Sequence, residues 1–345
     1  MLRLGYDAKR LFQNPTGLGS YSRELLAALG EAYPAHRYRL YSPRLGGGME
    51  TEVFRAGPPF EAVAGPRRGA GLWRRYGLAG QARRDRVALF HGLSHELPAG
   101  WGRTGIPGIV TMHDLIDYLH PEWYPWLDRW TYARKRRQAL REAAMVLAVS
   151  ASTRDDLGNA LGVAPERMRV IYPPVGRRFY EAPGPPPAGL PATYWLYLGS
   201  VTPRKNLGLI VEALREQPVA ERLPLVVAGR GGGYAREVAA RAQQLGVAEL
   251  LLWRPDLPNA QLPGLYAGAV GLIYPSRYEG FGLPVAECLA CGRPVITTDR
   301  ASLPEAGGAG ALYVSPDAPE ALASAMARLA GDHALQQQLI QAGRE

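Results

Sequence analysis

Residues 274–287 read Tyr-Pro-Ser-Arg-Tyr-Glu-Gly-Phe-Gly-Leu-Pro-Val-Ala-Glu, and the backbone must change regime inside them. An apolar run ends near Ser276, and a loop follows through Glu279, Gly280, Phe281 and Gly282. Pro284 then suits the first turn of a helix, where the N–H it lacks would have no partner. Gly292 is placed to end that helix as a C-cap. The first turn of such a helix offers N–H groups and the positive end of a dipole to an anion. Glu287, one turn in, is placed to accept hydrogen bonds from vicinal hydroxyls, as carboxylates do with ribose. Glu279, in the loop, is placed to bind another polyol.

The strand–loop–helix unit recurs along the chain. Apolar runs of four to six residues occur at 2–6, 38–41, 87–91, 109–113, 145–149 and 168–172, then at 194–199, 224–229, 249–253, 270–274, 294–298 and 311–314. Runs this short and this rich in Val, Ile, Leu and Tyr suit parallel strands buried on both faces. Helical patterns lie between them, as at 20–29, 131–143 and 207–215. Alternation of this kind predicts two Rossmann-like, doubly wound α/β domains, 1–176 and 177–345. The Pro-rich stretch 183–191 is expected to be a stiff break between the two series.

The composition narrows the function class. A chain of 345 residues, 47% hydrophobic and 21% charged, suits two globular domains of about 150 residues each. No apolar run approaches the roughly 18–20 residues of a membrane span, and the N-terminus is too short in apolar residues for a signal peptide. Cys288 and Cys291 cannot build a disulfide framework, which fits a reducing cytosol and a cytoplasmic protein. Their C-x-x-C spacing falls in the helix behind Glu287, where core packing explains it better than redox or zinc chemistry. The net charge of +9 lies wholly in residues 1–175, with 25 basic and 16 acidic residues; the remainder has 15 of each. Such an excess favours an anionic partner. Only Lys9, Lys135 and Lys205 are lysines, against 37 arginines, so isolated arginines carry less weight than these three.

Taken with the motifs below, residues 279–287 resemble the E-x7-E element of the retaining GT-B glycosyltransferases of family 4. The resemblance implies that Glu279 contacts the donor sugar and Glu287 the nucleotide ribose. It also implies that backbone amides around Gly282 and Leu283 approach the diphosphate or sugar. A second motif, residues 196–207, contains Gly199, Ser200, Arg204 and Lys205. A departing nucleoside diphosphate gains negative charge, so cations fixed beside it stabilise the transition state more than the ground state. Arg204 can fork onto two phosphate oxygens and Lys205 can act as a point charge. The family has a matching Arg-Lys pair. A third motif, Asn14-Pro-Thr-Gly17-Leu-Gly19-Ser, is either a tight turn opening a helix or a loop whose amides approach a ligand; family members have a similar glycine loop facing the diphosphate and acceptor. His113-Asp114 follows a strand at its carboxyl end. The family has a His there lining the donor-sugar site, and His113 and Glu279 would have to meet around one sugar on domain closure. Residues 150–156 resemble a further family segment, in which Ser150 and Arg154 equally suit a helix cap and a surface charge.

These readings give His113, Arg204, Lys205 and Glu279 as the catalytic set. Gly17, Gly19, Gly199, Ser200, Gly280, Phe281, Gly282, Leu283 and Glu287 form the donor-binding set. No metal or cofactor is expected, because no D-x-D motif is present and Arg204 with Lys205 can neutralise a diphosphate. The co-substrate is a GDP- or UDP-linked sugar, GDP-mannose first, since the short chain, YDAKRLF and HDL look closest to bacterial mannosyltransferase-like members of surface polysaccharide assembly. A glycan or lipid-linked saccharide is the expected acceptor. Alternatives are a sugar-nucleotide epimerase or phosphorylase of the same fold and, in another class, a basic nucleic-acid-binding protein, which leaves Glu279, Glu287 and the neutral second half unexplained. Two cationic–aromatic stretches, 67–76 and 123–137, suggest peripheral binding to an anionic membrane. Glu279 and Lys205 lie outside any apolar pattern, so their replacement is expected to reduce transfer far more than stability. Family members usually continue past residue 345 with a helix crossing back to the first domain; without it, looser domain coupling and an open cleft are expected.

Overall fold

The computed structural model describes residues 1–344, with Met49 described by its backbone alone. The chain divides into two units, Met1–Pro174 and Val175–Glu345.

The first unit holds seven parallel strands: β1 (Arg3–Asp7), β2 (Arg37–Ser42), β3 (Phe60–Ala64), β4 (Leu89–Gly92), β5 (Gly108–Met112), β6 (Met145–Ala148) and β7 (Met168–Val170). Their order is β3-β2-β1-β4-β5-β6-β7. The second unit holds β8 (Trp195–Leu198), β9 (Leu225–Ala228), β10 (Leu251–Trp253), β11 (Gly271–Tyr274), β12 (Val295–Thr298) and β13 (Ala311–Val314), in the order β10-β9-β8-β11-β12-β13. All pairings are parallel, as with Trp195 opposite Leu225 and Leu272 opposite Leu196.

Side chains on a strand alternate between faces, so a sheet covered on both sides needs two cores. Each unit has two. In the second, Trp195, Tyr197, Leu225, Val227, Ile273 and Ile296 pack on one face with the helix Leu207–Glu216. Leu196, Val226, Leu272, Tyr274 and Val295 pack on the other with the helix Leu283–Ala290. In the first, Tyr38 and Leu40 point to one core and Tyr41 to its opposite.

Twelve of these strands coincide with apolar runs of the sequence; β3 does not. It is an edge strand in which only Phe60 is buried, so Glu61 and small residues break the run. The Pro-rich stretch 183–191 belongs to the second unit and packs there. A Cβ on Gly264 would come within 2.5 Å of the Pro185 carbonyl oxygen, and one on Gly268 within 2.9 Å of the Pro186 ring.

Strand order reverses between β1 and β4 in one unit and between β8 and β11 in the other. Open α/β sheets bind ligands at the carboxyl ends of the strands at such points. At the second, the turns after β8 and β9 touch through bare backbone, since a Cβ on Gly229 would lie 1.8 Å from the Gly199 carbonyl oxygen. Gly229→Ala should therefore destabilise the second unit by about 1–3 kcal/mol, the usual cost of overpacking. Urea unfolding checks this, and an unchanged midpoint would contradict the packing.

Candidate active site

Both loops at the β8/β11 switch point carry charge. After β8, a short turn Pro203–Lys205 ends in Asn206, whose φ of +57° is a left-handed conformation that asparagine tolerates better than most residues. The Asn206 amide donates to the carbonyls of Pro275 (3.3 Å) and Pro316 (2.8 Å). The Arg277 N–H donates to the Arg204 carbonyl at 2.9 Å. These bonds tie the loop after β8 to the loop after β11.

Where the loops meet, four donors converge on Oε1 of Glu279. Arg204 Nη1 lies 2.6 Å away, Lys205 Nζ 2.9 Å, the Tyr274 hydroxyl 3.0 Å and Ser276 Oγ 2.8 Å. Lys205 also donates to the Tyr274 hydroxyl and sits 4.4 Å from the centre of its ring. Glu279 and Lys205 are each only 9% exposed. Burial raises the Glu279 carboxyl, but Lys205 and Arg204 outweigh it and hold the group far below the usual carboxylate range. Burial lowers the Lys205 ammonium, and Glu279 opposes that shift. Two cations and one carboxylate leave this cluster with a net charge of +1.

A frame of hydroxyls fixes the loop. Thr297 and Thr298, on β12, donate to the carbonyls of Tyr274 (2.8 Å) and Ser276 (2.7 Å). Ser302 donates to the carbonyls of Glu279 (2.8 Å) and Phe281 (3.0 Å). Gly282, at φ +106°, then turns the chain into the helix Leu283–Ala290, where a Cβ would lie 2.9 Å from Leu303. Glu287 is buried one turn in, accepting a 2.9 Å hydrogen bond from the Tyr266 hydroxyl on Oε2. Gly199, at φ +128°, lets the Lys205 side chain cross it, since a Cβ would meet Lys205 Cε at 3.2 Å. Ser200 is exposed and its carbonyl accepts from the Tyr197 hydroxyl. Cys288 is buried in the core beside β11 and Cys291 caps the helix, so neither faces this cluster.

The remaining expected residues gather in the first unit. His113 follows β5, with Nε2 2.8 Å from the Leu93 carbonyl, which assigns the proton to Nε2. Its own carbonyl accepts weakly from Thr153 at 3.4 Å. Tyr21 packs edge-on to the ring at 4.7 Å and hydrogen bonds Thr111, which pairs with His91. Tyr21 lies on the helix Gly17–Ala32, which brings the glycine turn to His113. Gly17 is open, but Gly19 is needed for the turn itself: its N–H bonds Thr16 and a Cβ would fall 1.8 Å from the Asn14 carbonyl oxygen. Ser150 is a helix N-cap, accepting from the Thr153 N–H at 2.9 Å, and Arg154 pairs with Asp155 at the surface.

Sequence reasoning missed Tyr274 and Ser276 as partners of Glu279, although both stand in the stretch 274–287. Their strand-end position was the available signal. It also misjudged stability. Glu279 and Lys205 are buried and paired, and removing one partner of a buried pair costs about 3–5 kcal/mol.

Comparison with known proteins places this arrangement. The model for Glycosyltransferase Family 4 matches residues 15–177, and the model for Glycosyl transferases group 1 matches residues 188–345. The chain belongs to this glycosyltransferase family. O-antigen chain mannosyltransferase B of Escherichia coli is 28% identical over 90% of this chain and 85% of its own length. A D-inositol 3-phosphate glycosyltransferase of Streptomyces bingchenggensis is 30% identical, covering 75% of this chain and 67% of the relative. Among solved structures, Anabaena Alr3699/HepE in complex with UDP and glucose is 18% identical with a TM-score of 0.74, covering 100% of this chain and 94% of that one. The two sheets are those of the GT-B fold class.

The charges predict how this glycosyltransferase fails in acid. Burial pushes His91 down to about 3 and lowers His95 and His113 as well. Below about pH 6.5 the unfolded chain therefore takes up protons that the folded first unit refuses, and its stability falls with pH. Glu279 is depressed, so its contribution persists until the pH drops below the ordinary carboxylate value of 4.5. Hydrogen exchange between pH 7 and 4 should show residues 1–174 losing protection before residues 271–282. The reverse order would overturn these assignments.

Proposed function

We propose that this glycosyltransferase moves a hexose from a nucleotide-sugar to a glycan or lipid-linked acceptor with retention at the anomeric carbon and without a metal ion. The observation that carries the proposal is the Arg204–Lys205–Glu279 cluster at the second switch point, followed within one loop and one helical turn by Glu287. Its net positive charge suits a diphosphate, with Arg204 and Lys205 as fixed counter-charges. Glu287, held by Tyr266, is left to the ribose hydroxyls, and Glu279 to the hydroxyls of the transferred sugar through Oε2. Nothing in the cluster is a free base. In this reading, the bond from the anomeric carbon to the leaving phosphate breaks, the acceptor oxygen forms its bond on the same face, and its proton passes to the leaving phosphate. In the first unit, His113 offers a neutral imidazole suited to orienting a sugar hydroxyl.

The first donor to test is GDP-mannose, supported by the mannosyltransferase relative and the chemistry of surface polysaccharide synthesis; UDP-sugars come second. A thermal-shift screen of GDP, UDP, TDP and ADP with their sugars should show one clear preference. With the preferred donor, Lys205→Ala should reduce turnover by roughly 10²–10³, the scale of losing one electrostatic stabiliser. Turnover should survive EDTA. Stabilisation by none of these nucleotides would count against the reading, and loss of activity in EDTA restored by a metal would remove its metal-free part.

The first unit's surface supports a membrane-peripheral site of action. No described helix is long and apolar enough to cross a membrane. The helix Trp126–Glu142 instead exposes Trp126 (70%), Leu127 and Trp130 (60%), with Arg134 stacked 5.7 Å from the Trp130 ring. Arg129, Arg137 and Arg141 are exposed on the same helix. In the stretch 67–76, Leu72 and Tyr76 are exposed, whereas Trp73 packs against the core. Interfacial tryptophans with cations, each worth about 1 kcal/mol near anionic lipid, support peripheral attachment to the cytoplasmic face of a membrane. Sedimentation with anionic vesicles should show binding that weakens with salt and with Trp126→Ala/Trp130→Ala, while neutral vesicles bind little. Equal, negligible binding to both would favour a soluble acceptor.

A further inference from the structure

The other switch point, between β1 and β4, also carries a cluster of charge. Asp7 ends β1, and Glu96 lies in the loop after β4. Arg74 bridges them, with Nη2 2.6 Å from Asp7 and Nη1 3.0 Å from Glu96. Lys135 closes the group at 3.1 Å from Glu96. Two carboxylates are thus balanced by two cations, and the Asp7 carboxylate also accepts from the Lys9 N–H at 3.3 Å.

Two further cations stand on this neutral base. Lys9 and Arg10 open the helix Lys9–Gln13, directly after β1, and both are half-buried. Among the described residues neither side chain has an ion-pair or hydrogen-bond partner. Burial, Arg74 and Arg10 lower the Lys9 ammonium, while the carboxylates Glu96 and Asp7, already paired with Arg74 and Lys135, oppose the shift. Arg10 is also among the charges felt by His95 and His113, which follow β4 and β5. His95 itself holds a left-handed backbone at φ +57°, with its N–H donating 2.9 Å to the Thr111 carbonyl. Such a conformation in a non-glycine residue recurs at ligand-binding loops. Asp114 is the other carboxylate near His113, and it accepts from the Ile116 N–H.

We infer that Lys9 and Arg10 form a binding site for a phosphate group, and that this group is carried by the acceptor. The inference rests on the reading of the protein as a nucleotide-sugar transferase, whose donor diphosphate is assigned to Arg204 and Lys205 in the other unit. An ammonium and a guanidinium without an ion-pair partner of their own, at the sheet position where ligands bind, match a phosphate mono- or diester in charge and in hydrogen-bonding. Either a soluble sugar phosphate or a lipid-linked sugar diphosphate presents that chemistry.

Calorimetric titration of the full chain tests it with two pairs of probes. Glucose 1-phosphate is compared with glucose, and farnesyl diphosphate in dilute detergent with farnesol. In each variant, GDP and UDP affinity reports separately on the second unit. At least one phosphorylated probe should bind more tightly than its partner. Lys9→Gln/Arg10→Gln should weaken that binding tenfold or more, and Lys9→Arg, which keeps the charge, should retain much of the binding that Lys9→Gln alone loses. The probe that responds distinguishes a soluble from a lipid-linked source. Failure of both phosphorylated probes to bind, or full binding in the double variant, overturns the inference. So does loss of binding in Lys205→Ala alone, which would put the phosphate in the donor site. Wild-type protein that binds neither GDP nor UDP would instead count against the transferase reading, while the response to Lys9 and Arg10 would still be measurable.

Discussion

Glu279 is the charge around which the second unit is organised. A buried ammonium, Lys205, and a partly buried guanidinium, Arg204, cannot share one small region without a counter-ion, because their desolvation would go unanswered. One carboxylate oxygen answers both. Tyr274, at the end of the preceding strand, and Ser276, in the loop after it, complete its coordination, and Thr297, Thr298 and Ser302 hold the backbone that carries it. The ion pairs therefore do more than stabilise. They fix the distance between two loops that leave different strands, and so define the site.

The two sheets explain why this can happen twice in one chain. Parallel strands buried on both faces leave polar groups nowhere to go except the strand ends, and the reversal of strand order opens space there. Each switch point has accordingly collected charge, but with different closure. At β8/β11 the cations are held by a carboxylate. At β1/β4 the carboxylates are already matched by Arg74 and Lys135, and the surplus cations Lys9 and Arg10 have no ion-pair partner of their own. The first arrangement presents a fixed field to a ligand, whereas the second needs a ligand to complete its charge.

Most of the architecture was legible in the sequence because buried parallel strands leave a simple trace, a short apolar run, and twelve of thirteen strands left it. β3 did not, since an edge strand with one buried residue has no need of the pattern. The motif residues were legible for a similar reason: glycines, prolines and acids at a strand-to-helix turn have few other uses. Pairing was not. Nothing in the order of residues tells that Arg204 and Glu279, 75 positions apart, share an oxygen, or that Tyr274 belongs with them. Nor does one of two lysines in an arginine-rich half announce that its neighbours have left it unpaired, so Lys9 carried no signal beyond its rarity. Gly19 shows the converse error of reading, since a glycine suited to approaching a ligand was required first by the turn it makes with Asn14.

The coupling within the cluster also separates the roles of its two cations. A guanidinium keeps its proton in any protein environment, so Arg204 remains charged whatever Glu279 does. An ammonium has no such protection. Burial acts to discharge Lys205, and Glu279 opposes it. The carboxylate is therefore a positioning residue for the lysine's charge as well as for its place. Neutralising Glu279 would take a negative charge from the site, but it would also release the lysine chain and ease loss of its proton, so the cation offered to the proposed diphosphate would lose both its place and its hold on charge. Loss of function at Glu279 and at Lys205 would then share a cause, and their effects would not add.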